Sequence, residues 1–437
     1  MSLPPGLLLG WYGDDFTGSA AVMEVLSFAG LPAILFLEPP EPEELAALEG
    51  IRAVGIASTA RTWSPDRMRA ELPQAFAALG GLGLPLIHYK VCSTLDSSPQ
   101  IGSIGCAAEI GIGAWASVLI AAPEMGRYQA FGSLFAEAFG AVHRLDRHPV
   151  MSRHPMTPMD EADVALHLAR QTDLPVGCIA LADEPEAALA RLRAKGVRLV
   201  TLDAVDEAGM ARCGQLIWDH RSDAPFVIGS QGVEYALVAL WRAMGWLAEA
   251  APPPSLGRDR LAVVSGSVSP VTAAQIDWAE ANGFQPIPFD ATNPGLPAIA
   301  AAVEAALAAL ERGLDPLVHT ARGPDDPAVA RFNARFGKDA AANEAVGNAL
   351  GRILDEVIRR SGLRRAVISG GDTSGHAARA LGVHTLRALA PTIPGAAICA
   401  VQGGPHDGLQ LALKGGQMGS PDYFGWVRDG GGVRRAP

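Results

Sequence analysis

Ala366-Val367-Ile368-Ser369-Gly370-Gly371-Asp372-Thr373-Ser374-Gly375 is a short apolar run that stops at two glycines and continues into small hydroxyl residues. A buried strand takes that order where it turns directly into a helix. Such a junction suits an anion. Gly370 and Gly371 let a ligand approach the backbone, and the N–H groups and dipole of the following helix face it. Asp372 stands where a carboxylate holds Mg2+ or orients a hydroxyl, with Thr373 and Ser374 as helix caps or phosphate donors. A turn shaped by glycine, with no ligand, is the competing reading.

Two further turns of this kind follow strands in the same region. Leu261 to Val264 leads into Ser265-Gly266-Ser267-Val268-Ser269-Pro270, and Leu409 to Leu413 leads into Lys414-Gly415-Gly416-Gln417-Met418-Gly419. Three glycine-bearing turns after strands favour a phosphate site built from several loops, with Ser265, Ser267, Gly370, Gly371, Thr373, Gly415 and Gly416 around it. Neither a P-loop nor the protein-kinase signature is present.

The N-terminal part repeats the logic with carboxylates. Leu7 to Trp11 reads as a strand, followed by Gly13-Asp14-Asp15-Phe16-Thr17-Gly18 and a helix. Ligands gather at the carboxyl ends of strands in open α/β sheets, which is where both aspartates fall. One can serve as a helix cap; the other needs another explanation. Strand-like runs at 33–37, 53–57, 86–91 and 118–121 alternate with helical patterns, as in a mostly parallel sheet with helices on both faces. Lys90, near the end of the run at 86–91, and Ser93 and Thr94 after it offer a point charge and two hydroxyls for an anionic substrate. A segment rich in His and Arg, including Arg153 and His154, reverses the local charge and reads equally as a small-anion site or a surface loop.

The chain of 437 residues is long enough for two or three domains. Its net charge of -11 argues against a nucleic-acid partner. No apolar run reaches the ~20 residues of a membrane span, and Leu7 to Trp11 reads as a strand rather than a signal peptide. The 5 cysteines lie far apart, with no Cys-x-x-Cys pair, which points to a reducing cytoplasm and no structural zinc. Three consecutive prolines at 252–254 mark a boundary, giving domains at 1–250 and 258–437 with a linker at 251–257.

Taken together, these loops resemble the four-carbon acid sugar kinase family. The matching elements are Asp14-Asp15-Phe16-Thr17-Gly18, Gly266-Ser267-Val268-Ser269, Gly370 to Ser374, and Lys414 with Gly416 and Gly419. The resemblance implies two α/β domains with a ligand cleft between them, the first binding the sugar acid and the second ATP with Mg2+. It implies Asp14 or Asp15 as the group that orients or deprotonates the attacking hydroxyl, and Thr17, Lys90, Ser93, Thr94, Arg153 and His154 around the sugar acid. Common members carry Lys-x-Asp-Ser-Thr-Leu-Arg where this chain has Lys90-Val91-Cys92-Ser93-Thr94-Leu95-Asp96. That variant loop is similar to a subgroup acting on 3-oxo-isoapionate, with 3-oxo-tetronate, D-threonate and D-erythronate as alternative substrates. A non-catalytic sugar-acid-binding protein is the alternative from another class.

Overall fold

The short apolar runs become strands because β-branched and small residues in runs of four to six can be buried on both faces once helices cover them. The computed structural model describes residues 2–40, 44, 49–154, 156–251, 253–337 and 339–434, apart from the side chains of Ala340 and Asp372. In chain order the strands are β1 (Leu9–Gly13), β2 (Ala33–Phe36), β3 (Ala53–Ala57), β4 (Leu86–Lys90), β5 (Ala116–Leu119), β6 (Arg127–Ala130), β7 (Ser133–Ala138), β8 (Ala141–Arg144) and β9 (Val176–Ile179). They continue as β10 (Leu199–Leu202), β11 (Phe226–Gly229), β12 (Ala262–Ser265), β13 (Phe284–Pro288), β14 (Asp315–His319), β15 (Arg365–Ser369), β16 (Thr385–Ala390), β17 (Ile398–Gln402) and β18 (Gln410–Lys414).

The chain divides into two compact units, one of Met1–Ala33 with Pro39–Ala250, the other of Ile34–Glu38 with Ala251–Pro437. In the first, the order β3-β1-β4-β11-β5-β10-β9 is parallel throughout. A separate antiparallel sheet, β6-β7-β8, follows the end of β5. No strand was expected there from the sequence, because these residues lack the apolar run of a strand buried on both faces.

In the second unit β13-β14-β12-β15-β18 are parallel, whereas β17, β16 and β2 continue the sheet antiparallel. Most of β2 therefore serves the second unit, pairing Leu35 and Phe36 with Leu386 and Thr385. Leu261, Val263, Ile276, Phe284, Leu317, Val367, Tyr423 and Phe424 form its core. Of the three linker prolines, Pro252 lies outside the described residues. The end of the linker is anchored: the buried Arg365 donates from its NH1 nitrogen to the carbonyls of Gly257 (3.0 Å) and Arg428 (2.7 Å) and from Nε to Gln410 Oε1 (2.8 Å).

Strand order fixes where ligands can bind. In the first unit the chain passes from β1 outward to β3 and then returns to the other side of β1 as β4, so the loops after β1 and β4 diverge. In the second, β13 and β14 lie on one side of β12 and β15 on the other, so the loops after β12 and β15 diverge. Such topological switch points leave a crevice at the carboxyl ends of the strands.

Candidate active site

At the switch point of the first unit, β1 delivers Asp14 and Asp15, and β4, in register with it, delivers Lys90 beside Gly13. Asp15 is the N-cap of the helix Phe16–Phe28: its Oδ1 accepts from Gly18 N (3.0 Å) and its Oδ2 from Thr17 Oγ1 (2.6 Å). The cap reading is thus correct for Asp15, and it leaves Asp14 free of that duty. Asp14 lies at 2% exposure and shares a guanidinium with its neighbour. Arg61 NH2 donates to Asp14 Oδ1 at 2.6 Å and to Asp15 Oδ1 at 2.8 Å. Arg61 arrives just past the end of β3, on a turn fixed by Ser58 Oγ donating to Gly13 O (2.8 Å) and by Arg61 N donating to Asp14 O (3.0 Å).

The two carboxyls differ in proton affinity. Burial pushes Asp14 up to about 6, with repulsion from Asp15 adding and Arg61 opposing. Burial works against the charge on Asp15 too, yet Arg61, Lys90 and the bonds from Thr17 and Gly18 outweigh it and hold Asp15 below the usual carboxylate range. Lys90 is buried, donates to Val91 O (2.6 Å), and lies over the helix start, where a Cβ at position 18 would come 2.7 Å from its Nζ. One strand end therefore holds a carboxyl of raised pKa, an ionised carboxylate and two cations.

The loop after β4 is tightly wound. Cys92 Sγ meets Thr94 Oγ1 at 3.0 Å, and Thr94 donates to Asp96 Oδ1 at 2.9 Å. Leu95, fully buried, has φ 56, a left-handed conformation unusual for a branched residue and common where loops serve a site. Burial first, then the Asp96 charge, pushes the Cys92 thiol up to about 11, so it is a neutral donor. Ser93 is half-buried in this loop. Arg153 is exposed, and His154 turns back on its own loop, its Nδ1 accepting from Thr157 N (3.2 Å). Among the described residues no hydrogen bond or ion pair joins Arg153 or His154 to the Asp14 cluster.

In the second unit four strands end together. Ser265 is in register with His319 on one side and Ser369 on the other, and Ser369 with Lys414. Gly370 has φ 131, outside the range of L side chains, and its N–H donates to Lys414 O (2.8 Å), so the turn after β15 requires glycine. Loops from three strands interlock here. Thr272 Oγ1, on the helix Pro270–Ala281, donates to Ser267 Oγ (2.9 Å) and Gly416 O (3.0 Å), and Ser269 Oγ caps that helix through Val271 N. Lys414 is fully buried, and its Nζ donates to Gly415 O (2.8 Å) and Met418 O (3.3 Å); among the described residues it forms no ion pair. Burial pulls its pKa down to about 7. Among the described residues the buried Ser369 Oγ has no hydrogen-bond partner. An unpaired hydroxyl, a buried lysine and the starts of two helices at one set of strand ends are features that suit a polyanion. The Asp372 side chain, expected to bear on Mg2+, lies outside the described residues, and among them no group of three metal-ligating side chains occurs.

Arg61, His319 and the Ser369 hydroxyl were not singled out from sequence, and Lys414 only as part of the terminal glycine-bearing element. Arg61 carried a signal, since it follows a strand-like run by four residues; Ser369, His319 and Lys414 end strands of the glycine-turn region.

Comparison with known proteins agrees with this division. Residues 9–237 match the Sugar-binding N-terminal domain family and residues 262–424 the Nucleotide-binding C-terminal domain family. The chain is 46% identical to a 3-oxo-isoapionate kinase of Paraburkholderia graminis, over 98% of this chain and 95% of that one. It is 34% identical to a 3-oxo-tetronate kinase of Pseudomonas fluorescens, over 96% of each. A crystal structure from Salmonella typhimurium LT2, named as a tRNA synthase, superposes with a TM-score of 0.77 over 97% of this chain and 98% of that one at 26% identity. Among the described residues no helix is long and apolar enough to cross a membrane.

Proposed function

This chain belongs to the four-carbon acid sugar kinase family, and we propose that it transfers the terminal phosphoryl group of ATP to the terminal hydroxyl of 3-oxo-isoapionate, giving 3-oxo-isoapionate 4-phosphate. It is an ATP-dependent sugar-acid kinase. The observation that carries the substrate is the 46% identity to a protein with that named activity, against 34% for a 3-oxo-tetronate kinase.

Phosphoryl transfer asks the protein for positioning, charge stabilisation and a group near the attacking hydroxyl. Asp14 is the base in this reading: its pKa of about 6 is close enough to neutral to accept a hydroxyl proton, whereas Asp15 stays ionised as a cap and charge partner. Arg61 fixes both carboxylates; Lys90, Thr17, Ser93 and Thr94 bind the sugar acid. Arg153 and His154 take part in this reading through the loop that carries them. In the second unit Ser265, Ser267, Gly370, Gly371, Thr373, Gly415 and Gly416 cradle the phosphates, with Lys414 organising the last loop. The orphaned Ser369 hydroxyl fits a site for Mg2+ and phosphate oxygens, and Asp372 with the nearby hydroxyls would hold the ion. Bound Mg2+ neutralises charge on the transferring group. In this reading the enzyme serves carbohydrate catabolism and works in the cytoplasm.

The test is ADP release from Mg·ATP against 3-oxo-isoapionate, 3-oxo-tetronates, D-erythronate and D-threonate. A rate highest with 3-oxo-isoapionate supports the reading. A preference for a 3-oxo-tetronate moves the chain to that activity, and binding of an acid without any ADP release supports the non-catalytic alternative.

A further inference from the structure

We propose that Arg127 is the anchor for the substrate carboxylate, an assignment that rests on the sugar-acid kinase reading. Arg127 opens β6 just beyond the carboxyl end of β5, with its backbone paired to Ala122. One nitrogen of its guanidinium is committed: NH1 donates to the carbonyls of Met125 (2.9 Å), Gly126 (3.3 Å) and Glu137 (3.4 Å). Its Nε is buried and, among the described residues, has no hydrogen-bond partner. Among the described residues Arg127 forms no ion pair. The guanidinium is therefore held rigidly by backbone oxygens while the edge that includes Nε is left unpaired.

Arg127 stands at the same end of the parallel sheet as the loop after β4. Cys92 and Asp96 of that loop lie within electrostatic reach of it, as they do of Arg61. The loop itself carries Asp96 and no arginine of its own. A pre-positioned fork with an unsatisfied N–H suits a planar carboxylate, which accepts two parallel hydrogen bonds. Lys90 offers the acid a point charge rather than a fork, and its Nζ also donates to Val91 O (2.6 Å). The geometry divides the labour: Asp14 attends the hydroxyl that reacts, and Arg127 the carboxylate that identifies the substrate as an acid.

The experiment compares wild type, Arg127→Gln and Arg127→Lys with 3-oxo-isoapionate and its carboxamide, by steady-state kinetics, calorimetric binding and thermal melting. Arg127→Gln is expected to raise KM for the acid about 10- to 100-fold while leaving KM for ATP unchanged, and to erase the preference for acid over amide. Arg127→Lys restores only part of that preference, because an ammonium lacks the fork. An acid-over-amide preference that survives in Arg127→Gln overturns the proposal, as does a parallel loss for both ligands that follows a lowered Tm. If wild type phosphorylates no acid sugar, the kinase reading fails on its own. Arg127 is then judged by calorimetry: weaker acid binding in Arg127→Gln supports the anchor, and equal binding, or none to wild type, overturns it.

Discussion

Replacing Asp14 with Asn should make the protein more stable and inactive at once. The native carboxyl is displaced from 3.8 to about 6 by burial. Between those values the folded chain holds a proton that the unfolded chain has released, so stability falls as pH rises through that window and stays lower above it. The accumulated cost at pH 8 is about 3 kcal/mol. An asparagine mimics the protonated carboxyl, and Arg61 keeps Asp15 as its partner at 2.8 Å, so no charge is orphaned. The variant should therefore gain up to about 3 kcal/mol at pH 8, roughly 6–12 °C in the melting of a unit this size, and nothing at pH 4. The assay is thermal melting of both proteins from pH 4 to 8, beside turnover under saturating substrates. Turnover should drop about 10²–10⁴-fold if Asp14 is the base. A difference in Tm that does not change with pH, or a variant less stable at pH 8, would refute the electrostatic argument; undiminished turnover would refute the role. Asp15→Asn provides the opposite sign. Its carboxylate is held below the usual range, so its stabilisation is present at neutral pH and is lost as pH falls through the folded value. Asparagine still caps the helix, which leaves charge as the variable.

Gly266→Ala drives a Cβ into Thr373 Oγ1 and should cost about 1–3 kcal/mol in melting while raising KM for ATP; acid binding by calorimetry should be unchanged. Lys414→Met should weaken ATP binding about 10- to 100-fold, measured by calorimetry, and leave acid binding intact. Wild type should also gain stability as pH rises from about 7 to 10.5, where the unfolded lysine binds a proton the folded one has lost, and the variant should lack that gain. Excess EDTA should abolish turnover and added Mg2+ restore it; persistence of ADP release in EDTA would remove the metal from the reading.

The strand ends were legible because two signals coincide there: an apolar run stops, and residues that tolerate turns or carry charge begin. Asp14, Asp15, Lys90, Gly266 and Gly370 all satisfy that rule. Arg61 satisfies only half of it, since Ser58-Thr59-Ala60 carries no glycine, and its importance depends on β3 lying beside β1, a pairing that a linear pattern does not specify. Arg127 was hidden for a stronger reason. Its hairpin alternates partly exposed residues and looks like a loop in a chain otherwise read by buried runs. The service of β2 to the second unit was equally invisible: residues 33–36 announce a strand, but hydrophobicity does not name its partner or direction. The charged segment around 143–154 reads equally as an anion site or a surface loop from its sequence, because charge density does not say which partners it meets; in the structure Arg144 bonds Asp146 within the segment at 2.7 Å.

The two switch points solve the same electrostatic problem in opposite ways. Each unit brings parallel strands to a common end where helix dipoles and free N–H groups favour negative charge. In the first unit the chain fills that place with its own carboxylates and clamps them with Arg61, so an incoming acid must be received by a cation further out, which is the reason to look to Arg127. In the second the described residues supply hydroxyls, glycine N–H groups and a lysine without a carboxylate, so the positive end is left for phosphate. A unit built on the first plan is suited to activating a hydroxyl, since its carboxyl at about 6 can take a proton. A unit built on the second is suited to holding a phosphoryl donor. The division of chemistry follows from what each chain segment places after its strands, on two sets of parallel strands that each reverse their winding at a switch point.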